Sequence, residues 1–164
     1  MVKSDPVSEP APPGEQHLGP GRILAIDLGD RRMGLALSDP LGLTAQGLPT
    51  VERRNRREDM NYIQSLARRN DVSAIIVGNP INMDGTAGPQ SMAASEFAAK
   101  LGKHLALEVR LWDERLTSVE ANRVLRQAGL GPEQRAQSVD QVAAVLLLEN
   151  FLEAQKGAAA SGPD

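Results

Sequence analysis

The sequence predicts an α/β fold: a five-stranded mixed sheet, made of a three-strand antiparallel meander followed by two parallel strands, flanked by helices. Three observations predict it. Short apolar stretches separated by tight turn sequences fill residues 22–52, the pattern of hairpin-linked strands. The run AIIVG at 74–78 has no polar side chain, as expected of a parallel strand covered on both faces. From there onward helical stripes and strands alternate.

Taken in order, RILAID (22–27) is the first strand, DLGDRR a turn, MGLALS (33–38) the second strand and GLPTVE (47–52) the third. Glu58 to Arg69 carries apolar residues at Met60, Ile63, Leu66 and Ala67, a helical stripe. AIIVG follows as the fourth strand. Pro89, suited to a first helical position, opens a helix to about Leu105, and EVRLW (108–112) is the fifth strand. Two helices close the chain. Thr117 with Glu120, and Ser138 with Gln141, have the spacing of capping boxes. In the first helix Ala121, Val124, Leu125 and Ala128 form an apolar face that ends before Gly129, a left-handed cap. In the second, a start at Ser138 puts Asp140 near the second helical position, where the macrodipole favours an ionised acid. This order of elements is that of the ribonuclease H-like fold.

A chain of 164 residues with 41% apolar content suits one domain. Residues 1–19, rich in proline and without apolar periodicity, are expected to be a disordered extension, 20–156 the folded domain, and 157–164 (GAAASGPD) a disordered tail. The absence of cysteine excludes disulfides, thiol catalysis and thiolate zinc sites, and two histidines are too few for a zinc enzyme. No apolar run approaches the length of a membrane span, so the expected setting is the cytoplasm, with no membrane partner. Residues 20–156 balance 17 Lys+Arg against 17 Asp+Glu. Only four of the 18 basic residues are lysine, and the rest are arginine, the side chain suited to bidentate phosphate contacts. They cluster at Arg53, Arg54, Arg56 and Arg57, at Arg68 and Arg69, and at Arg115, Arg123 and Arg126.

Three acids stand among core-forming residues: Asp27 in ILAIDLG, Glu114 after EVRLWD, and Asp140 before QVAAVLLL. Each alone has a plainer reading, as a strand end, a solvated residue past a strand, or a first-turn acid. Together they ask for a shared cation, because a carboxylate in apolar surroundings is expensive to desolvate and none has a basic partner in the core pattern. Arg31 and Arg32 read as part of a turn. Magnesium or manganese, bound through carboxylate oxygens, would balance the three charges.

The segments IDLGDRRMGLALSDP, VGNPINMDGTAG, DERLTSVEA and VDQVAAVLLLENFL, in that order over Arg22 to Leu152, resemble the four signature blocks of the YqgF family, also called RuvX. The resemblance implies a nuclease, described in the family as processing pre-16S ribosomal RNA and, by similarity to RuvC, as a Holliday junction resolvase. Carried over residue by residue, its acids fall on Asp27, Glu114 and Asp140. Asp113 is a neighbouring alternate to Glu114, because the end of a strand is hard to phase. Two positions depart from the family pattern: Asn79 replaces leucine in Gly-Leu-Pro, and Ser138 stands where lysine is common.

Phosphodiester hydrolysis builds charge on phosphoryl oxygens, which two cations about 4 Å apart can stabilise. The expected assignment has Asp27 bridging both metals, Glu114 holding one and Asp140 the other, with Arg31 or Arg115 on a phosphate. The loop NPINMDGTAG follows a parallel strand at the ligand-binding end of such sheets, so Asn82 and Thr86 are candidates for substrate contact. The partner expected is nucleic acid, with a ribosomal RNA precursor favoured and single-stranded or branched DNA as alternatives, and the protein a monomer or homodimer. Two other classes remain open: an ATPase using DLGDRRMG as a phosphate hairpin, disfavoured because such enzymes need two domains of this kind, and a non-catalytic RNA-binding factor.

Overall fold

The computed structural model describes residues 21–82, 84–113, 117–129 and 132–160. The elements run β1 (Arg22–Leu28), β2 (Arg32–Ser38), β3 (Ala45–Glu52), α1 (Arg56–Arg69), β4 (Val72–Asn79), α2 (Pro89–Leu105), β5 (Glu108–Asp113), α3 (Thr117–Gln127) and α4 (Pro132–Ala160). The strand order is β3-β2-β1-β4-β5, with β1, β2 and β3 antiparallel, β4 parallel to β1 and β5 parallel to β4. This is the mixed sheet that the sequence predicts. The expected extension at 1–19 and the last four residues of the expected tail lie outside the described residues.

Strand alternation sends side chains to two cores. Leu24 and Ile26 of β1 join Met33, Leu35, Val77, Ile63 and Phe97 on the face covered by α1 and α2. Ile23 and Ala25 join Ala36, Ile76, Ala144, Leu147, Leu148 and Phe151 on the face covered by α4. The β1 strand is therefore apolar at successive positions because it is covered on both sides. Leu147, Leu148 and Phe151 are almost fully buried, each contributing roughly 1.5–3 kcal/mol relative to exposure. Packing of this size holds α4 to the sheet.

Several boundaries differ from the sequence expectation, each for a local reason. The β3 strand starts at Ala45 because the Asp39 carboxylate accepts hydrogen bonds from the amides of Leu41 (3.2 Å), Leu43 (2.7 Å) and Thr44 (2.7 Å), closing the loop so that Ser38 pairs with Ala45. The α1 helix starts at Arg56 because Asn55 caps it, accepting from Glu58 N (2.9 Å) and donating to Glu58 Oε2 (2.8 Å). Arg32 is not in the turn; it opens β2 and pairs with Glu52.

The largest correction concerns α4. The helix begins at Pro132, so Ser138 is interior and its spacing to Gln141 is not a cap. Asp140 stands in the third turn, beyond the reach of the terminal dipole that falls off within the first. The helix also runs through 157–160, where the sequence suggests a tail, because GAAA consists mostly of the strongest helix former.

Candidate active site

Asp27 lies one residue before the end of β1 and is 9% exposed. Register fixes its direction. Residues directly opposite in an antiparallel pair point to the same face, and alternate residues along a strand do likewise. Asp27 pairs with Gly34 and follows Ile23 and Ala25, both in the core under α4. Its carboxylate therefore belongs to the α4 face.

Gly34 brings the second acid to the same place. A Cβ at this position would fall on the Asp140 carbonyl oxygen and lie 3.1 Å from the Asp140 Cα, so only glycine lets the α4 backbone rest on β2. On the neighbouring strand Gly47, paired with Ala36, leaves room for Gln141, whose Nε2 donates to Leu48 O at 2.8 Å. These contacts seat α4 across β3, β2 and β1 with Asp140 above the strand position opposite Asp27. Ala143 of α4 is buried, while Val142 and Leu146 are half-buried.

Asp140 also has the basic partner that the sequence reading missed. Arg32 Nε donates to Asp140 Oδ2 at 3.3 Å, with side chains 35% and 20% exposed. Burial pushes the Asp140 carboxyl above the ordinary carboxylate range, against the hydrogen bond and charge of Arg32, which pull it down. Only recognition that β2 starts one residue earlier would have revealed Arg32, since two residues along the strand from Gly34 it shares the α4 face.

Glu114 and Arg115 lie outside the described residues. Asp113, the alternate acid, is the last residue of β5. Trp112 meets Phe151 edge-on at 5.0 Å and belongs to the α4 face. Asp113 is the next residue and pairs with Asn79, whose Oδ1 accepts from Ser91 Oγ (2.6 Å) at the start of α2. Asp113 thus faces away from Asp27. The same bond gives Asn79, one of the two departures from the family pattern, a role in anchoring α2.

The loop after β4 leaves the sheet at the end where β1 terminates, since the two strands are parallel and Ile26 pairs with Val77. Asn82 and Thr86 are exposed there, but their side chains bind each other, Nδ2 to Oγ1 at 3.0 Å, and Thr86 Oγ1 donates to Asp84 Oδ1 at 2.6 Å. The Thr86 hydroxyl, and after it the Thr86 amide, hold the Asp84 carboxyl below its ordinary range. Both candidates shape the loop. Arg31 is exposed on the β1–β2 turn, beside the same end of the sheet.

The described site thus unites Asp27 and Asp140 on one face, with Arg32 alongside and an oxygen-only donor set. Among the described residues no group of three metal-binding side chains gathers. Two carboxylates on one face, one with its acidity weakened by burial, offer the hard oxygen donors that a divalent cation takes. No helix among the described residues is long and apolar enough to cross a membrane.

Comparison with known proteins agrees with this architecture. A protein of Koribacter versatilis (strain Ellin345), named "Putative pre-16S rRNA nuclease", is 51% identical over 133 residues, covering 81% of this chain and 87% of that one. Among solved structures, RuvC of T. thermophilus in complex with Holliday junction substrate is similar with a TM-score of 0.51 at 14% identity, covering 84% of this chain and 97% of the other. The fowlpox virus resolvase with its substrate Holliday junction DNA gives 0.53 at 12% identity, covering 82% and 98%. These two likenesses establish the fold as ribonuclease H-like. Residues 21–154 match the family described as "RuvX: Holliday junction resolvase", and the chain belongs to that family.

Proposed function

We propose that this chain is a metal-dependent nuclease that hydrolyses phosphodiester bonds, acting in the cytoplasm on the 5′ end of pre-16S ribosomal RNA. The observation that carries this reading is the meeting of Asp27 and Asp140 on one face, brought about by the backbone contact at Gly34. The naming of a relative at 51% identity favours the ribosomal RNA precursor as substrate.

Asp27, Asp140 and, as third ligand, Glu114 would hold magnesium or manganese. Glu114 is preferred over Asp113 because Asp113 has the opposite strand phase. When bound, such ions supply an activated water and neutralise charge on the phosphoryl and leaving oxygens. The protein's own contribution is placement. Gly34 and Gly47 fix α4 so that Asp140 is held on a rigid element, and the Arg32 hydrogen bond orients its carboxylate. Arg31 and Arg115 would contact phosphates next to the scissile one, and the Asn82–Thr86 loop would border the strand as it enters.

The test is cleavage of a labelled single-stranded RNA carrying the precursor end, beside a four-way DNA junction, with magnesium or manganese. Cutting of the RNA and not the junction is expected. The family's description favours a second reading, junction resolution, which requires paired sites in a homodimer. Symmetric cutting of the junction, with intact RNA, would establish that reading and reject the first.

A further inference from the structure

We propose that Arg31, Arg54 and Arg57 form a rim that binds the phosphate backbone of a nucleic acid strand running from the Asp27–Asp140 site over the β3–α1 connection. The direction of the strand rests on the nuclease reading; the binding of phosphate does not.

The three guanidinium groups stand at one end of the sheet. The β1–β2 turn carrying Arg31 leaves the sheet directly after Asp27 and Leu28, and the chain after β3 crosses it, with Arg53 N donating to Arg31 O at 2.8 Å. Arg31, Arg54 and Arg57 are exposed, and none of them forms an ion pair among the described residues. Their neighbours differ. Arg53 turns inward to Asp59 and Gly29 O, and Arg56 reaches Glu96 at 3.2 Å. Residues 52–57, ERRNRR, set four arginines against one exposed glutamate. With Asp30 and Glu58 nearby, the second of which is tied to Asn55, the connection is still net basic.

Local energetics work against this placement. Arg56 and Arg57 occupy the first positions of α1, where the helix dipole disfavours cations. Such a departure from local preference is expected where function requires it. The backbone beneath is also rigid. The buried Asp59 carboxylate accepts from Arg54 N (3.1 Å) and Arg53 Nε (3.4 Å), Arg53 Nη1 donates to Gly29 O (2.9 Å), and Asn55 caps α1. The exposed guanidiniums therefore project from a scaffold held on three sides, which lowers the entropy lost on binding. With aromatics at 2% of the chain, the contacts would be to phosphate rather than to stacked bases.

The test measures binding of fluorescent single-stranded RNA and single-stranded DNA of equal length to the full chain without divalent ions, over roughly 50 to 200 mM salt. The Arg54→Ala/Arg57→Ala variant should bind both more weakly. Its slope of log affinity against log salt should fall by about 1.4 in magnitude, near 0.7 per lost contact to a single strand. Arg54→Lys/Arg57→Lys should retain most of that slope. A loss confined to RNA would assign the rim to RNA backbone alone. Unchanged affinity and slope for both strands, or no binding by the unaltered protein, would overturn the proposal. Magnesium-dependent cutting measured on the same samples separates the two readings. Cutting with an unchanged slope sinks the rim alone, and a reduced slope without cutting sinks the nuclease alone.

Discussion

Asp140 is ionisable in a place that resists its charge. Burial raises its carboxyl, and Arg32 offsets part of the rise. Because the folded state binds a proton more readily than the unfolded one, this group lowers stability as pH climbs from about 3.8 through the raised value, and above that value the penalty is complete. Asp140→Asn is therefore expected to melt at the same or a higher temperature than the unaltered protein at pH 7, with the difference shrinking toward pH 4, although the variant should lose nuclease activity. A variant that melts lower at neutral pH would contradict this. Asp39 has the opposite sign: the amide of Thr44, with further help from Leu43 and Leu41, holds its carboxyl below the ordinary range against the opposing effect of desolvation. Its stabilisation of the β2–β3 loop is present above pH 3.8 and lost as pH falls through the lowered value. In thermal melts Asp39→Asn should be less stable at neutral pH and converge with the unaltered protein in acid. At this scale the sequence was legible in part. An acid among apolar neighbours marked Asp27 and Asp140, whereas Arg32 was hidden because a one-residue error in a strand start turns a core-facing partner into a turn residue.

Among the elements, α4 decides whether a site exists, and its seating depends on Gly34. Gly34→Ala would drive a methyl into the Asp140 carbonyl, backbone against backbone, and should cost about 3 kcal/mol, the upper part of the usual overpacking range. Urea denaturation should show this as a lowered midpoint with a similar slope. Arg53→Ala would leave the Asp59 carboxylate, 4% exposed, without the guanidinium it pairs with, and roughly 3 kcal/mol is expected from that as well. Helix and strand existence was readable wherever punctuation was unambiguous: Pro89 opened α2 at the predicted residue, and Gly129 adopts the expected left-handed φ of 74° after α3. The start of α4 was not readable in this way. A Ser-x-x-Gln spacing occurs inside helices as readily as at their ends, and the helix was set by Pro132 six residues upstream.

For the whole molecule, topology joins residues 113 positions apart in the chain, and the sequence alone could place Asp27 and Asp140 together only through the order of elements and the family resemblance. The mixed sheet follows from turn lengths and apolar runs, which carry local information. The meeting of β1 with α4 depends on which face each buries, and register settles that only in three dimensions. The same phase reasoning puts Asp113 on the sheet face opposite Asp27, which no one-dimensional pattern could do. The most direct measurement is single-turnover cleavage of precursor RNA at saturating magnesium by the unaltered protein, Asp27→Asn and Asp140→Asn, with circular dichroism to verify folding. Loss of at least about 100-fold in rate in both folded variants is predicted, the size expected for removing a group essential to positioning and charge stabilisation. Cleavage by either folded variant at the unaltered rate would contradict the assignment of these two acids.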